Sequence, residues 1–376
     1  MSMRPTHLIV SRGAFRRNYE AISKELGKKD SKLLAAIKAD AYGMGAVTVA
    51  RWLSEFGVDF FAVATPDEAQ VLRQHKITSP ILVLGASPYD AAEYYVEEDI
   101  RATLTDYAFA KKLSEAAVKL GKTAKVHMKI DSGMGRVGFL CEEYPTIAEK
   151  VAALPGIEIE GVFTHFSTSD ESNLDWTHEQ FRKFSATVAS IKAKGIAVKM
   201  VHCCNSSAVL AGLQDYYCDY VRLGQITHGI IPTPECRDVV KIERAFALKT
   251  KIGLIRELPE GWPVSYGRTY RAKPHERTAI LPIGYGDGFL RTLSNKGDVL
   301  IRGERCPILG RICMDQCVVG VGHLAEAAIG DEAVIIGAQG DQEITIEEYA
   351  AKAGVITAAV STNIMPRVER LYVEEL

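Results

Sequence analysis

Eight short apolar runs, separated by longer stretches with helical spacing, constrain this chain more than any other feature. Each run is rich in residues that favour β-strands. The runs are L-L-A-A-I-K (33–38), F-F-A-V-A-T (60–65), I-L-V-L-G (81–85), R-A-T-L-T (101–105), V-H-M-K-I-D (126–131), G-V-F-T-H-F (161–166), M-V-H-C-C-N (200–205) and Y-V-R-L-G (220–224). Between them, apolar residues recur at three- and four-residue steps, as in amphipathic helices. The pattern predicts repeated βα units.

Eight parallel strands joined by helical crossovers can close into a barrel. We therefore predict an α/β fold with a (β/α)8 barrel, the TIM barrel, over residues 11–236. Helical spacing over residues 13–27 predicts an opening helix that packs outside this barrel. A doubly wound open sheet is the alternative architecture for the same alternation.

The pattern changes after about residue 236. The remaining chain alternates short strands with turn glycines, for example in F-A-L-K-T-K-I-G-L-I (246–255) and D-V-L-I-R-G (298–303). Two prolines in P-T-P-E-C-R (232–237) mark the expected boundary. We predict a smaller β-rich domain formed by residues 237–376, with the lone strand in residues 1–10 pairing into it.

Charge and composition narrow the classes of partner. The net charge is -2, and 24% of the 376 residues are charged, so nothing favours nucleic acid or an anionic membrane. No apolar run approaches the roughly 20 residues that span a bilayer, and the first residues lack the features of a signal peptide. We expect a cytoplasmic protein. The eight cysteines form no C-x-x-C pair, so neither a disulfide framework nor a metal site is expected.

Polar residues lie at the carboxyl ends of the predicted strands, where a barrel of this kind carries its chemistry. Any one of them taken singly is more often a satisfied hydrogen-bond partner than a catalyst. Together on one face of the barrel they predict an active site. They are Lys38, Lys129, Asp131 with Arg136 just beyond, His165, Asn205, Ser206 and Arg222.

Two glycine-rich segments are candidates for anion binding. G-M-G-R-V-G (133–138) matches a dinucleotide fingerprint, but helical spacing resumes only near Glu142, so no helix begins at these glycines to hold a pyrophosphate. The turn after the eighth strand, at Gly224 and Gly229, is the better site because such barrels often bind phosphate there. A small phosphorylated cofactor therefore fits better than a dinucleotide.

A reactive lysine near a phosphate site suggests pyridoxal phosphate. I-K-A-D-A-Y-G-M-G (37–45) resembles the pyridoxal-lysine signature of the alanine racemase family. The resemblance continues through almost the whole chain, in K-I-D-S-G-M-G-R-V-G-F (129–139), F-T-H-F-S-T-S-D-E (163–171), V-S-Y-G-R-T-Y (264–270), P-I-G-Y-G-D-G (282–288) and G-R-I-C-M-D-Q (310–316). It implies a barrel followed by a β domain, and a racemase of amino acids, with alanine first.

The resemblance also implies roles for individual residues. Lys38 becomes the Schiff-base lysine and the base on one face of the substrate Cα, and Tyr266 becomes the base on the opposite face. Racemisation needs two such groups, because a proton removed from one face must be returned to the other. Arg222 is implied to bond the pyridine nitrogen, and His165 belongs with it to a network that assists Tyr266.

Further positions match cofactor and substrate contacts of the family. The implied phosphate-binding residues are Tyr42, Ser206, Gly224 and Ile226, with Asn205 beside them. Arg136 and Met314 match groups that hold the substrate carboxylate and a cofactor oxygen, and Tyr285 matches an aromatic residue at the active-site entrance. Lys129 matches a lysine that is often carbamylated. Because Tyr266, Tyr285 and Met314 reach the partner's site in the family, the resemblance implies a homodimer with composite sites.

The sequence departs from the family pattern in two places. Ala358 stands where we align a family tyrosine, and Gln225 and His228 replace apolar and tyrosine residues after the eighth strand. These changes predict a wider and more polar pocket, so a racemase of serine or of a broader range of amino acids is an alternative. A pyridoxal-dependent decarboxylase and a non-catalytic pyridoxal carrier are the remaining alternatives. The carrier is disfavoured by the long β domain.

Overall fold

The computed structural model describes residues 3–233 and 239–376. The chain opens with β1 (His7–Ser11) and α1 (Arg12–Leu26), which matches the helix predicted over 13–27. Two compact units follow from the packing. One contains residues 16–227 with 239–242, and the other contains 3–15, 228–233 and 243–376. The boundary predicted at 236/237 lies outside the described residues.

The larger unit is the predicted barrel, so the open-sheet alternative is wrong. Its strands are β2 (Lys32–Ala36), β3 (Phe60–Val63), β4 (Ile81–Val83), β5 (Ile100–Leu104), β6 (Ala124–Asp131), β7 (Phe139–Leu140), β8 (Ile157–Phe163), β9 (Met200–His202) and β10 (Tyr220–Leu223). Eight of them close into a ring in the order β2-β3-β4-β5-β6-β8-β9-β10, because β10 pairs with β2 and β5 pairs with β6. All pairings in the ring are parallel. The short β7 pairs only along β6.

Helices connect the strands of the barrel. They are α2 (Lys38–Tyr42), α3 (Ala46–Phe56), α4 (Pro66–Gln74), α5 (Ala92–Glu97), α6 (Tyr107–Leu120), α7 (Tyr144–Ala152), α8 (Asp175–Ala193) and α9 (Ser206–Leu210). Their ends follow ordinary signals. Asp106 caps α6 by accepting the backbone N–H of Phe109 at 2.8 Å, and Gly121 ends the helix in a left-handed conformation.

The barrel interior combines an apolar half with a polar half. The apolar half is a buried cluster of Leu34, Ala36, Phe60, Ala62 and Leu82. The ring of Phe60 meets the ring of His127 edge to face, with centroids 5.7 Å apart. His127 belongs to the polar half, which is a network of buried charged and imidazole side chains. Burying such groups is tolerated only where each finds a hydrogen-bond partner.

The smaller unit is rich in β-strands. They are β11 (Phe246–Lys251), β12 (Leu254–Leu258), β13 (Pro263–Val264), β14 (Tyr270–Arg271), β15 (Glu276–Leu281), β16 (Asp298–Ile301), β17 (Glu304–Pro307), β18 (Cys317–Gly320), β19 (Glu332–Gln339), β20 (Gln342–Ile344) and β21 (Glu369–Val373). The main sheet runs β17-β16-β19-β11-β1-β21, and β1 pairs antiparallel with β11 and parallel with β21. A second sheet runs β12-β15-β18, and β13 pairs with β14.

This unit also contains two helices that the sequence pattern did not predict, α10 (Ile346–Ala353) and α11 (Thr357–Thr362). The signal for α10 was present in T-I-E-E. Thr345 accepts the backbone N–H of Glu348 at 3.1 Å, and two acidic residues occupy the first turn. Among the helices of the described residues, none combines the length and the apolar character that crossing a membrane requires.

Candidate active site

Lys38 follows the end of β2 and begins an unusual backbone turn. The next four residues, Ala39 to Tyr42, all have φ between 51° and 53°, so α2 is a turn of left-handed helix built from residues with side chains. For such residues this conformation costs roughly 1–2 kcal/mol each. No feature of the sequence indicated that strained backbone begins directly after the lysine. The consequence is that Lys38 and Tyr42 line the same cavity.

That cavity has a volume of about 330 Å³ and lies at the carboxyl ends of the barrel strands. Its lining includes Lys38, Lys129, Arg136 and Arg222, and the described residues that line it include no carboxylate. Four basic side chains around one cavity favour an anionic ligand. His165, Asn205, Ser206, Gly224 and Gln225 complete the polar part of the lining.

Burial and neighbouring positive charges lower the pKa of three of these side chains, Lys38, Lys129 and Arg222. Burial, then Arg136 and Arg222, lower the pKa of Lys38, so more of its amine is neutral at a given pH. Burial likewise lowers the pKa of Lys129 to about 8. Lys129 Nζ is 5.6 Å from the centroid of the Phe163 ring and has no hydrogen-bond partner among the described residues. A buried amine without a partner is costly, so this position favours an added acceptor.

Arg222 links the cavity to a buried network. Its Nη2 donates to His165 Nδ1 at 2.8 Å and to the carbonyl oxygen of Thr164 at 3.0 Å, and its Nη1 donates to His202 Nδ1 at 2.9 Å. Burial lowers the pKa of Arg222 to about 10, so the side chain remains charged at neutral pH. Because arginine has donors only, both imidazoles must accept through Nδ1.

The same donor rule orients the rest of the network. His202 must carry its proton on Nε2, which lies 2.9 Å from His127 Nδ1, and His127 Nε2 then donates to Glu160 Oε2 at 3.2 Å. Arg101 also binds Glu160, donating from Nε to Oε2 at 3.1 Å and from Nη2 to Oε1 at 3.3 Å. Burial opposes the ionisation of Glu160, but the hydrogen bonds of His127 and Arg101 outweigh it and lower its pKa to about 2. In the chain of hydrogen bonds from Arg222 through His202 and His127 to Glu160, each group therefore donates to the next one.

Asp131 fixes the loop that carries Arg136. Its Oδ1 accepts the backbone N–H groups of Gly133, Met134 and Gly135 at 2.8–3.1 Å, and its Oδ2 accepts that of Arg136 at 3.0 Å. Burial raises the pKa of Asp131, but the four donors outweigh it, and the pKa lies below its usual range. The loop that resembled a dinucleotide fingerprint is thus organised around a carboxylate of its own chain.

The predicted phosphate-binding residues meet after β9 and β10. Asn205 caps α9 by accepting the backbone N–H of Ala208 at 2.9 Å, and Ser206 begins that helix. The hydroxyl of Ser206 accepts the backbone N–H of Gly224 at 3.3 Å. A side chain at position 224 would collide with the Tyr42 hydroxyl, so the glycine is required by this close approach. Ile226 is buried nearby in the 3-10 turn Gln225–His228 but is not among the lining residues.

The other three predicted site residues lie in the smaller unit and are exposed. The exposed fractions are 67% for Tyr266, 52% for Met314 and 40% for Tyr285. Their loops are joined to one another. The backbone N–H of Tyr285 donates to the carbonyl of Cys313 at 3.0 Å, and the hydroxyl of Ser265 donates to the carbonyl of Arg311. The structure therefore gathers these residues into one exposed cluster.

The residues that depart from the family pattern fall in different places. Gln225 lines the cavity, and its Oε1 has no hydrogen-bond partner among the described residues. Ala358 lies on α11 in the smaller unit, and His228 is buried with its ring 5.2 Å from that of Phe15. Neither Ala358 nor His228 is among the residues that line the cavity.

Sequence reasoning missed the residues behind the site. His127, His202, Glu160 and Arg101 form the interior network, and Glu68 bonds to the left-handed turn. A signal existed in V-H-M-K-I-D, where a strand alternates apolar and polar residues although both of its faces are buried. Since side chains alternate along a strand, His127 and Lys129 point to the same side of β6.

The cavity fits a cofactor that carries a phosphate and a carbonyl group. A lysine with a lowered pKa can attach the carbonyl, and the hydroxyls of Tyr42 and Ser206 suit the phosphate. The surplus of cations matches a phosphate together with a substrate carboxylate. Barrel and cavity together fit the class of pyridoxal-phosphate enzymes.

Comparisons with known proteins identify the family within that class. The model of the alanine racemase N-terminal domain matches residues 10–232, and the model of the C-terminal domain matches residues 245–372. Alanine racemase 2 of Caldanaerobacter subterraneus subsp. tengcongensis is 40% identical over 375 residues, covering 99% of this chain and 95% of its own. Alanine racemase of Clostridium perfringens is 40% identical over 372 residues, covering 98% and 96%.

Solved structures agree with these sequence matches. Alanine racemase of Clostridium difficile superposes with a TM-score of 0.95 at 37% identity, covering 99% of this chain and 97% of that one. Its complex with cycloserine gives a TM-score of 0.92 at 36% identity, covering 99% and 96%. This chain belongs to the alanine racemase family, as its motifs predicted. It is therefore an isomerase, a pyridoxal-phosphate-dependent racemase with a small amino-acid substrate.

Proposed function

We propose that this enzyme interconverts L- and D-alanine by a two-base mechanism, with Lys38 and Tyr266 as the bases. The observation that carries the proposal is the cavity in which Lys38 lies among Arg136, Arg222 and Lys129 without a carboxylate. When bound there, pyridoxal phosphate supplies an electron sink for the Cα–H bond of the amino acid. The protein must bind the carboxylate, hold the cofactor and move one proton on each face.

Lys38 moves the proton on one face. Its lowered pKa makes more of the amine neutral at a given pH than for an ordinary lysine, and both attachment to the cofactor and proton removal require the neutral amine. Arg136, whose loop is held by Asp131, binds the substrate carboxylate, and Met314 contributes to that site across the proposed dimer interface. Lys129 becomes an acceptor for Arg136 if its amine is carbamylated, which would also give the buried Nζ a role that neutral lysine lacks.

Arg222 lines the cavity and would bond the pyridine nitrogen of the cofactor. Because arginine does not give up its proton at neutral pH, this partner would leave the ring nitrogen unprotonated and would restrain side reactions such as transamination. His165 accepts from Arg222 through Nδ1, so its Nε2 keeps a proton. Burial and the surrounding cations lower the pKa of His165 well below its usual range, and a neutral imidazole is therefore available to assist the phenol of Tyr266.

Tyr266 moves the proton on the opposite face, in the site of a partner subunit. Tyr266, Tyr285 and Met314 form one exposed cluster in the smaller unit, and exposed large side chains in a joined set favour a covering partner. We therefore propose a homodimer in which the barrel of residues 11–236 binds the cofactor and residues 1–10 plus 237–376 complete the partner's site. Tyr285 stands at the entrance.

A second candidate is a racemase of serine or of a broader range of amino acids. Gln225 favours it, because this polar residue lines the cavity where the family pattern has an apolar one, and its buried Oε1 has no hydrogen-bond partner among the described residues. Decarboxylation is the weaker alternative, since it gives Tyr266 no task. The cytoplasmic location inferred from the sequence stays a prediction, which cell fractionation tests.

A substrate panel in deuterium oxide tests these functions together. The purified holoenzyme is incubated with single enantiomers of alanine, serine and larger amino acids, and inversion, Cα deuterium and carbon dioxide are measured. We expect exchange with inversion, fastest for alanine. Equal rates for serine would favour the second candidate, carbon dioxide would favour decarboxylation, and no exchange with any substrate would overturn the proposal.

Complementation between two inactive variants tests the composite site. Lys38→Ala and Tyr266→Phe homodimers are mixed, dissociated and allowed to reassociate. A mixed dimer has one site with both bases only if Tyr266 acts across the interface. We expect activity to return to a sizeable fraction of the wild-type value in the mixture. No return, with mixed dimers demonstrated by mass spectrometry, would place both bases in one chain.

A further inference from the structure

Glu68 makes two hydrogen bonds to backbone outside its own helix. Its Oε1 accepts the N–H of Ala39 at 2.7 Å, and its Oε2 accepts the N–H of Ala64 at 2.6 Å. Ala39 directly follows Lys38, and Ala64 lies just after β3 in the cavity lining. One carboxylate on α4 therefore joins the ends of two neighbouring barrel strands beside the attachment lysine.

These bonds are not those expected from the local sequence. T-P-D-E (65–68) has the spacing of a capping box, in which the glutamate would bond the cap residue's own N–H. Thr65 does accept the N–H of Glu68, at 3.3 Å, but the two carboxylate bonds go to Ala64 and Ala39 instead. The side chain is thus used to hold the turn and not to start the helix.

The turn needs such support. Its four left-handed residues are strained, and its internal bonds, such as the N–H of Ala41 to the carbonyl of Ile37 at 2.9 Å, do not remove that strain. Asp40 Oδ1 accepts the N–H of Ala46 at 2.7 Å and anchors the far end. Glu68 anchors the near end, directly after the lysine. Strained backbone persists only where the surrounding structure over-determines it.

We propose that Glu68 is a positioning residue, which locks the left-handed turn so that the Lys38 amine is held ready to attach pyridoxal phosphate. The inference rests on the proposed role of Lys38. Glu68 also acts on Lys38 through its charge. Burial, Arg136 and Arg222 lower the pKa of Lys38, and Glu68 acts in the opposite direction.

When Glu68 is replaced, loss of its positioning role and loss of its charge predict opposite effects on the rate of cofactor attachment. Glu68→Gln removes the charge and leaves one oxygen for two N–H donors, so one backbone bond is lost. Loss of charge alone would lower the pKa of Lys38, leave more neutral amine and speed attachment. Loss of position would slow attachment, because the amine would spend less time in the reactive geometry.

The experiment follows pyridoxal phosphate capture by the cofactor-free full-length enzyme. Capture is measured from the rise of visible absorbance, and borohydride reduction with peptide mass spectrometry locates the label at Lys38. We expect Glu68→Gln to slow capture about tenfold or more relative to wild type. The matched control is Asp67→Asn, which removes the neighbouring exposed carboxylate and should capture at the wild-type rate.

A glycine at position 39 tests whether strain in the left-handed turn causes the slower capture. Glycine adopts the left-handed conformation without strain, so Ala39→Gly added to Glu68→Gln should restore most of the lost rate. Capture by Glu68→Gln at or above the wild-type rate would overturn the proposal, and so would slow capture that glycine does not rescue. If Glu68→Gln alone fails to fold, the double variant with Ala39→Gly is tested in its place. A double variant that is not soluble or does not capture pyridoxal phosphate would also overturn the proposal. Wild-type enzyme that is not labelled at Lys38 would instead refute the role of Lys38.

Discussion

The barrel cavity and the exposed loop cluster of the smaller unit place candidate active-site residues in opposite environments. Lys129 and Arg222 are 2% and 5% exposed, whereas Tyr266 is 67% exposed. In the cavity, burial and neighbouring cations shift proton affinities within a single chain. In the cluster, nothing within the described residues covers the side chains to a similar degree. One half of the proposed chemistry is thus prepared by folding of a single chain, and the other half would be completed by the proposed dimer.

The largest loss of activity is expected from replacing Lys38 in the barrel cavity. Lys38→Ala should abolish the visible absorbance of the bound cofactor and lower kcat/KM by at least about 10³-fold, because attachment and one proton transfer both depend on this amine. Absorbance spectra and racemisation assays measure the two losses. Exposed Lys24→Ala on α1 is the control and should change neither. Retained absorbance at the wild-type wavelength would remove Lys38 from its role.

Replacing Tyr266 in the exposed loop cluster should leave cofactor binding intact while it reduces turnover. Tyr266→Phe should keep the visible absorbance but lower racemisation by about 10²–10⁴-fold in both directions, because each direction needs one group to remove the proton and the other to return it. Tyr372→Phe, another exposed tyrosine of the smaller unit, is the control and should retain activity. Initial rates from L- and D-alanine are measured separately. Undiminished turnover in both directions would exclude Tyr266 as a base.

The buried network behind the cavity should contribute to the free energy of unfolding. Glu160→Gln should lower the free energy of unfolding at pH 7 by about 3 kcal/mol, because Arg101 loses its buried counter-charge. Glu115→Gln, which breaks the exposed pair with Lys112, should cost less than about 1 kcal/mol. Urea denaturation measures both. Equal effects of the two variants would contradict the contrast between buried and exposed charges.

The pH dependence of the same network follows from the pKa of Glu160. The folded pKa of about 2 lies below the ordinary value of 4.5, so this carboxylate stabilises the fold above pH 4.5 and loses that contribution as the pH falls towards 2. Wild-type enzyme should therefore lose stability over this window more steeply than Glu160→Gln. Parallel curves of unfolding free energy against pH would show that Glu160 titrates normally in the fold.

The smallest effect is expected at the departure from the family pattern. Gln225→Ile removes the polar group from the cavity lining and should lower the ratio of serine to alanine kcat/KM by about tenfold. Exposed Gln74→Ile on α4 is the control for a general effect of the substitution. A ratio that does not change would show that Gln225 does not select the substrate.

The barrel could be predicted because its strands are buried on both faces and recur at regular intervals. Near-continuous apolar runs such as F-F-A-V and I-L-V are typical of parallel strands. The family motifs could be predicted because they are long and contiguous. The helices α10 and α11 were missed, since the alternation of strands and glycines around them masked a short capping signal at Thr345.

The site was harder to predict than the fold. Lys38, Arg136 and Arg222 were found because each follows or ends a predicted strand, and they do line one cavity. Glu68 could not be found, because its spacing from Thr65 suggests only an ordinary helix cap. His127 and His202 lie within strands, where a lone histidine is usually a satisfied core residue. Their partners become visible only when β6, β8, β9 and β10 are brought side by side.

The sequence by itself determined the repeated βα architecture, the family and the lysine at the end of the first barrel strand. Those properties depend on local periodicity and contiguous motifs, which a linear chain displays directly. Only the tertiary structure decided that the lysine begins a left-handed turn and that Glu68 holds this turn from another helix. A backbone conformation that costs energy locally is stable only through contacts between residues distant in sequence, and such contacts are absent from any single stretch of the chain.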